Sequence, residues 1–131
     1  MYACEIWTLR KEEIDGIDAL EMWIWRKMEG VSWSEKKTNE QVLREVREER
    51  SLFENVVKRK KNWIGHTVRG EGLLKHVMEG RMEGKRGKGR PRLGMISDLK
   101  EGSYVNMKRR AEDRKAWRSW VPRTCLRAEN Q

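Results

Sequence analysis

Hydrophobic residues recur at three- and four-residue steps over most of this chain, which is the spacing of a buried helix face. Between Lys11 and Glu29 the stripe is Ile14, Ile17, Leu20, Ile24 and Met28, with Trp23 flanking it. Glu12, Glu13 and Asp15 lie near its start and Arg26 and Lys27 near its end, as a helix dipole favours. Gly30 is placed to terminate it. After a connection containing Trp33, Thr38-Asn39-Glu40-Gln41 fits a capping box, and Val42, Leu43 and Val46 give a second helix its apolar face. Ser51-Leu52-Phe53-Glu54 repeats the capping pattern and predicts a third helix, with Phe53, Val56, Val57, Ile64 and Val68 as its stripe. Gly65 weakens that helix from within, and Gly70 and Gly72 end it. Leu73, Leu74, Val77 and Met78 predict a short fourth helix, and Leu93, Ile96 and Leu99 a brief one. Ser103 then caps a last helix from Tyr104 to about Trp120, with Met107, Ala111, Trp117 and Val121 on one face and Pro122 as its stop.

Two stretches lack the helical period. Residues 1–9 are rich in Tyr, Ile, Trp and Thr and predict an N-terminal strand. From Glu83 to Arg92, Lys85, Arg86, Lys88, Arg90 and Arg92 are separated by Gly84, Gly87 and Gly89, with Pro91 near the end. Three glycines and a proline in that span do not hold a helix. The expected fold is therefore mostly α: a small helical bundle with an N-terminal strand and a basic, Gly-rich extended segment. Its divisions are the strand at 1–9, a helical segment at 10–79, the basic ribbon at 80–92, basic helices at 93–121 and a disordered tail at 122–131.

Composition thins the expected core: 37% of residues are hydrophobic and 39% charged. Seven tryptophans nevertheless argue for folding, since disordered chains are poor in aromatics. The net charge of +9 is unevenly spread. Residues 1–50 hold nine Lys and Arg against 12 Asp and Glu, whereas residues 51–131 hold 21 against nine. A polyanion contact confined to the second part follows from that asymmetry. A membrane is excluded as partner, because the sequence has neither an apolar run of about 20 residues nor a basic helix with a clean apolar face. Cys4 and Cys125 are far apart in sequence, and neither is spaced with His66 or His76 as zinc ligands are. Free thiols in a reducing compartment are expected. With no signal peptide in Met-Tyr-Ala-Cys-Glu, the expected location is intracellular, in nucleus or cytoplasm.

The candidate binding residues follow from this charge. Lys58, Arg59, Lys60 and Lys61 precede Trp63, His66 and Arg69. Cations beside an aromatic can grip phosphate while the ring stacks on a base. The plainer alternative makes Trp63 core and leaves the cations in water. His66 and His76 read as structural or phosphate-contacting, since no carboxylate or cysteine lies at a catalytic spacing. Lys85, Arg86, Lys88, Arg90 and Arg92 suit a phosphate backbone; the alternative is a solvated linker. Gly89-Arg90-Pro91 with Arg92 resembles the core of an AT-hook, with Lys88 where its first arginine stands. Arg109, Arg110, Arg114 and Arg118 form a second candidate surface. Asp98 and Asp113 are isolated, and there is no catalytic triad, phosphate-cradling loop or Asp-Asp pair for magnesium. No catalysis, cofactor, metal or small-molecule substrate is expected.

Several motifs occur in a familiar order. Tyr2-Ala3-Cys4-Glu5-Ile6-Trp7-Thr8-Leu9 is similar to a Tyr-Gly-x-Glu-x-Trp-Thr-Leu strand. Glu21-Met22-Trp23-x-x-Arg26-Lys27-Met28, Ser32-Trp33, and Thr38-Asn39-Glu40-x-Val42-Leu43 follow. Then come Trp63-Ile64-Gly65-His66-x-x-Arg69-Gly70, the run Glu83 to Arg92, and Ala111-x-Asp113-Arg114-x-x-Trp117-Arg118. Together, over about residues 2–121, they resemble the C-terminal region of reverse transcriptases of non-LTR (LINE-type) retrotransposons. The resemblance implies a thumb-like helical segment after the polymerase palm and a basic extension that holds template RNA or target DNA. It also implies that the catalytic aspartates and the endonuclease lie outside this chain, and that Met1, falling inside the pattern, begins either a truncated element copy or a short open reading frame left from one. The alternatives left open are a helical interaction module, docking on the missing polymerase portion or on itself, and a decayed copy without function.

Overall fold

The computed structural model describes residues 3–32, 34–80, 83–84, 87–89, 94–100 and 102–122. Six α-helices account for most of them: α1 (Lys11–Met28), α2 (Asn39–Val46), α3 (Leu52–Arg69), α4 (Leu73–Glu79), α5 (Tyr104–Glu112) and α6 (Arg114–Ser119). The chain divides into two compact units, Leu9–Val56, and Met1–Thr8 with Val57–Gln131.

In the first unit α1 ends as its sequence predicts. Gly30 adopts φ 65°, and the Gly30 and Val31 amides donate to the Lys27 and Arg26 carbonyls at 3.3 and 3.0 Å. This is a Schellman motif, whose left-handed position glycine adopts without strain. Thr38 forms the expected capping box: its Oγ1 accepts the Gln41 amide at 3.3 Å, and Gln41 Oε1 accepts the Thr38 amide at 2.9 Å. The start of α3 is capped from a distance rather than by Ser51. Glu21 Oε1 accepts the Ser51 and Leu52 amides at 2.9 and 3.1 Å, placing a carboxylate where the dipole is positive. Arg26 donates to the Lys37 carbonyl and Asn39 Oδ1 at 2.8 and 2.9 Å, holding α1 to the start of α2.

These two ties decide which face of α1 turns inward. Glu21 and Met22 are buried, and Trp25 and Arg26 are half-buried. Of the stripe expected to be core, Ile14 and Ile17 are half-buried, but its later part faces out, with Leu20 47%, Ile24 39% and Met28 70% exposed. The helix carries two apolar stripes, and the one holding the polar anchors is packed.

In the second unit the expected N-terminal strand is absent: Cys4–Ile6 forms a single 3-10 turn, and no strand is present among the described residues. A strand needs an edge to pair with, whereas this turn buries the free Cys4 completely. Val57, Ile64 and Val68 of α3, Leu99, Met107, Ala111 and Trp117 complete the core. Pro122, expected to open a disordered tail, is buried; the expected tail beyond it lies outside the described residues. The expected brief helix near Ile96 is a turn at 95–99. The single last helix is two. Ser103 Oγ accepts the Asn106 amide at 3.2 Å to begin α5. Asp113 leaves helical geometry at ψ 106°, and its Oδ1 accepts the Lys115 and Ala116 amides to begin α6. An aspartate that can cap offers the backbone a better arrangement than continuing the helix.

Candidate nucleic-acid interface

The cationic run on α3 cannot share one face. Successive helix residues turn by about 100°, so four in a row go most of the way round. Lys58 and Arg59 are exposed, while Lys60 is fully buried and Lys61 is 8% exposed. Lys60 and Lys61 occupy the same inward stripe as Val57, Ile64 and Val68.

Each inward cation has a structural task. Lys60 Nζ donates to the Trp7 carbonyl at 2.7 Å and to both Asp98 oxygens at 2.9 and 2.7 Å. Asp98 is therefore an ion-pair partner and not the isolated acid of the sequence reading. Lys61 Nζ donates to the Arg118 and Trp120 carbonyls and lies 5.9 Å from the Trp120 ring centroid. Arg69, half-buried, donates to the Ala111 carbonyl at 2.7 Å. Burial, then the nearby Arg114 charge, lowers its pKa from the ordinary arginine value. Lys61 and Arg69 thus supply donors and positive charge to the C-terminal ends of α6 and α5, whose last carbonyls have no helical partner. As expected phosphate contacts, Lys60 and Lys61 are misplaced. A fully buried ammonium that already makes three hydrogen bonds has none left for a phosphate.

Gly65, read as a weak point, is a point of close approach. A Cβ there would collide with the Trp117 indole, meeting its Nε1, with Cδ1 and Cε2 at 2.8 and 2.9 Å. Trp117 Nε1 donates to the Lys61 carbonyl at 3.1 Å, so the ring is both packed and oriented. Trp117 and Trp120 have ring centroids 5.0 Å apart, and the Arg110 guanidinium lies 4.9 Å from the Trp120 centroid.

The remaining sequence candidates divide as follows. On α3, Lys58, Arg59 and His66 are exposed and Trp63 is half-buried. Arg59 pairs with Glu5 at 2.7 Å; a backbone hydrogen bond, then Arg59, holds the Glu5 carboxyl below its ordinary range. Arg109, Arg114 and Arg118 are exposed on α5 and α6, as is Lys88. Lys85, Arg86, Arg90 and Arg92, and with them most of the expected ribbon, lie outside the described residues. Nearby, Glu79 accepts Tyr104 Oη at 3.0 Å and pairs with Lys108 at 2.7 Å, joining the end of α4 to α5.

The charge asymmetry coincides with the division into units. Leu9–Val56 holds nine Lys and Arg against 12 Asp and Glu; the other unit holds 21 against nine. Among the described residues no helix is long and apolar enough to cross a membrane, and no group of three His, Cys, Asp or Glu is placed to hold a metal ion. No known protein family, curated protein or solved structure matches the chain.

Proposed function

We propose that the cationic unit binds a single-stranded polynucleotide, RNA or DNA, through its phosphates and without catalysis of its own. The observation that carries this reading is the concentration of positive charge in one compact unit, beyond what its fold consumes. Lys60, Lys61 and Arg69 are spent internally. Lys58, Lys88, Arg109, Arg114 and Arg118 remain at the surface, as does Arg59 with its Glu5 partner, and His66 and Trp63 lie beside the α3 cations, the ring of Trp63 as a stacking platform. Lys85, Arg86, Arg90 and Arg92 join them on sequence grounds. Contacts of this kind position a strand and read little of its sequence. The role matches the one implied by the resemblance to the basic region that follows the palm in non-LTR reverse transcriptases.

Fluorescence anisotropy with labelled RNA and DNA oligomers in dilute buffer tests the proposal. Neutralising Lys58, Arg59, Arg114 and Arg118 to glutamine leaves the core intact and weakens binding at least about tenfold, a loss of about 1.4 kcal/mol. Unchanged affinity, or no affinity in the parent protein, removes it.

A further inference from the structure

The outward stripe of α1 calls for a separate explanation. Leu20, Trp23, Ile24 and Met28 are 47%, 53%, 39% and 70% exposed and lie on adjoining faces of one helix. A contiguous apolar surface of this kind marks an interaction site more often than chance exposure. Gly16, one turn before Leu20, is exposed, and a Cβ there would meet nothing within 4 Å. Glycine disfavours a helix interior, and no close approach within the unit requires it. The charges along α1 are also graded. On the side of Leu20, Glu13 lies near the start of the helix and Lys27 in its last turn, both exposed.

We propose that α1 pairs antiparallel with α1 of a second copy of this chain, centred on Leu20. A two-fold interface must be complementary to itself, and this helix is. With Leu20 against its own copy, positions equally far on either side come together. On one side of the seam Ile17 meets Ile24, and on the other the notch at Gly16 receives the edge of the Trp23 indole. Glu13 of each helix lies near Lys27 of the other, opposite charges repeated twice by the symmetry. A parallel pairing would set like charges side by side. A tryptophan seated against a glycine is the buried aromatic anchor that such interfaces are built around. This surface belongs wholly to the unit Leu9–Val56, so it is independent of the proposed polynucleotide contact.

Sedimentation equilibrium on the full chain after nuclease treatment reads the association. The parent protein is expected to dimerise with rising concentration. Trp23→Ala and Gly16→Leu should each weaken the dimer at least about tenfold, the loss typical of an interface anchor. Gly16→Leu should at the same time raise the helicity of the monomer, which separates a blocked notch from misfolding. Orientation is read by disulfide formation in a Cys125→Ser chain: Leu20→Cys should cross-link to its own copy and Lys11→Cys should not. A chain that stays monomeric throughout, a dimer unmoved by both stripe variants, or Lys11→Cys cross-linking as fast as Leu20→Cys overturns the proposal. Polynucleotide binding retained by the monomeric Trp23→Ala chain shows that the two surfaces act separately; its loss with the dimer contradicts their independence.

Discussion

Replacing Lys60 with methionine removes an ammonium that donates to the Trp7 carbonyl and to both Asp98 oxygens. Methionine fills nearly the same space, so little of the cost comes from a cavity. What remains is a carboxylate that has lost its ammonium, and the Asp98 side chain is only 15% exposed. Breaking a buried ion pair from one side costs about 3–5 kcal/mol. With the stem retained and one edge of Asp98 reached by water, the expected loss is about 3 kcal/mol, at the lower end. That is a large share of the roughly 5–15 kcal/mol that holds a domain together. Urea unfolding followed by circular dichroism measures it, and Lys58→Met, two residues away on the exposed side, is the control, expected within about 0.5 kcal/mol of the parent. Adding Asp98→Asn to Lys60→Met should recover part of the loss, because the carboxylate charge that Lys60 offsets is then absent. Equal midpoints for the Lys60 and Lys58 variants would refute the division of α3 into structural and outward cations.

Gly65→Ala, which in an open helix would be stabilising, should instead cost about 1–3 kcal/mol, because the Trp117 indole must shift; a raised melting temperature contradicts this packing. Glu21→Gln keeps the shape of the α3 cap but removes its charge, and should cost about 1 kcal/mol by urea unfolding where Glu12→Gln costs nearly nothing. Burial, then the hydrogen bond to Glu79, pushes the Tyr104 pKa up to about 12 from 10.0. The folded state therefore keeps this proton longer than the unfolded one. Its contribution is complete below pH 10 and is lost as pH rises from 10 to 12. An ultraviolet absorbance titration of a Tyr2→Phe chain checks this, and tyrosinate forming near pH 10 in the folded protein contradicts it.

Helix positions were legible in the sequence where the signal was local. The Thr38 capping box, the Gly30 terminator and the Phe53 to Val68 stripe depend on residues a few positions apart, and they form as read. Much of what failed depended on partners distant in sequence. Glu21 caps α3 from 30 residues away, so nothing around Ser51 announces it. The choice between the two stripes of α1 rests on Glu21 and Arg26 finding partners in later elements. Gly65 looks like a defect until Trp117 lies against it. Within the candidate interface, the run Lys58 to Lys61 looks like one cationic patch in the sequence, which counts charges without turning the helix. The helical period, applied to charges as it was to apolar residues, puts Lys60 and Lys61 in line with Val57, Ile64 and Val68. Asp113 carried a local signal too, since an aspartate three residues before Ala116 can start a helix of its own.

The salt dependence of polynucleotide affinity tests the central claim most directly. Each phosphate neutralised on a single strand steepens the fall of log K with log salt by about 0.7. Four or more outward cations in contact therefore predict a slope of about −3 or steeper for the parent chain. Neutralising Lys58, Arg59, Arg114 and Arg118 should flatten it by about 0.7 per contact removed. A slope near zero, or a slope untouched by those four substitutions, would mean that the charge gathered in this unit serves something other than a phosphate backbone.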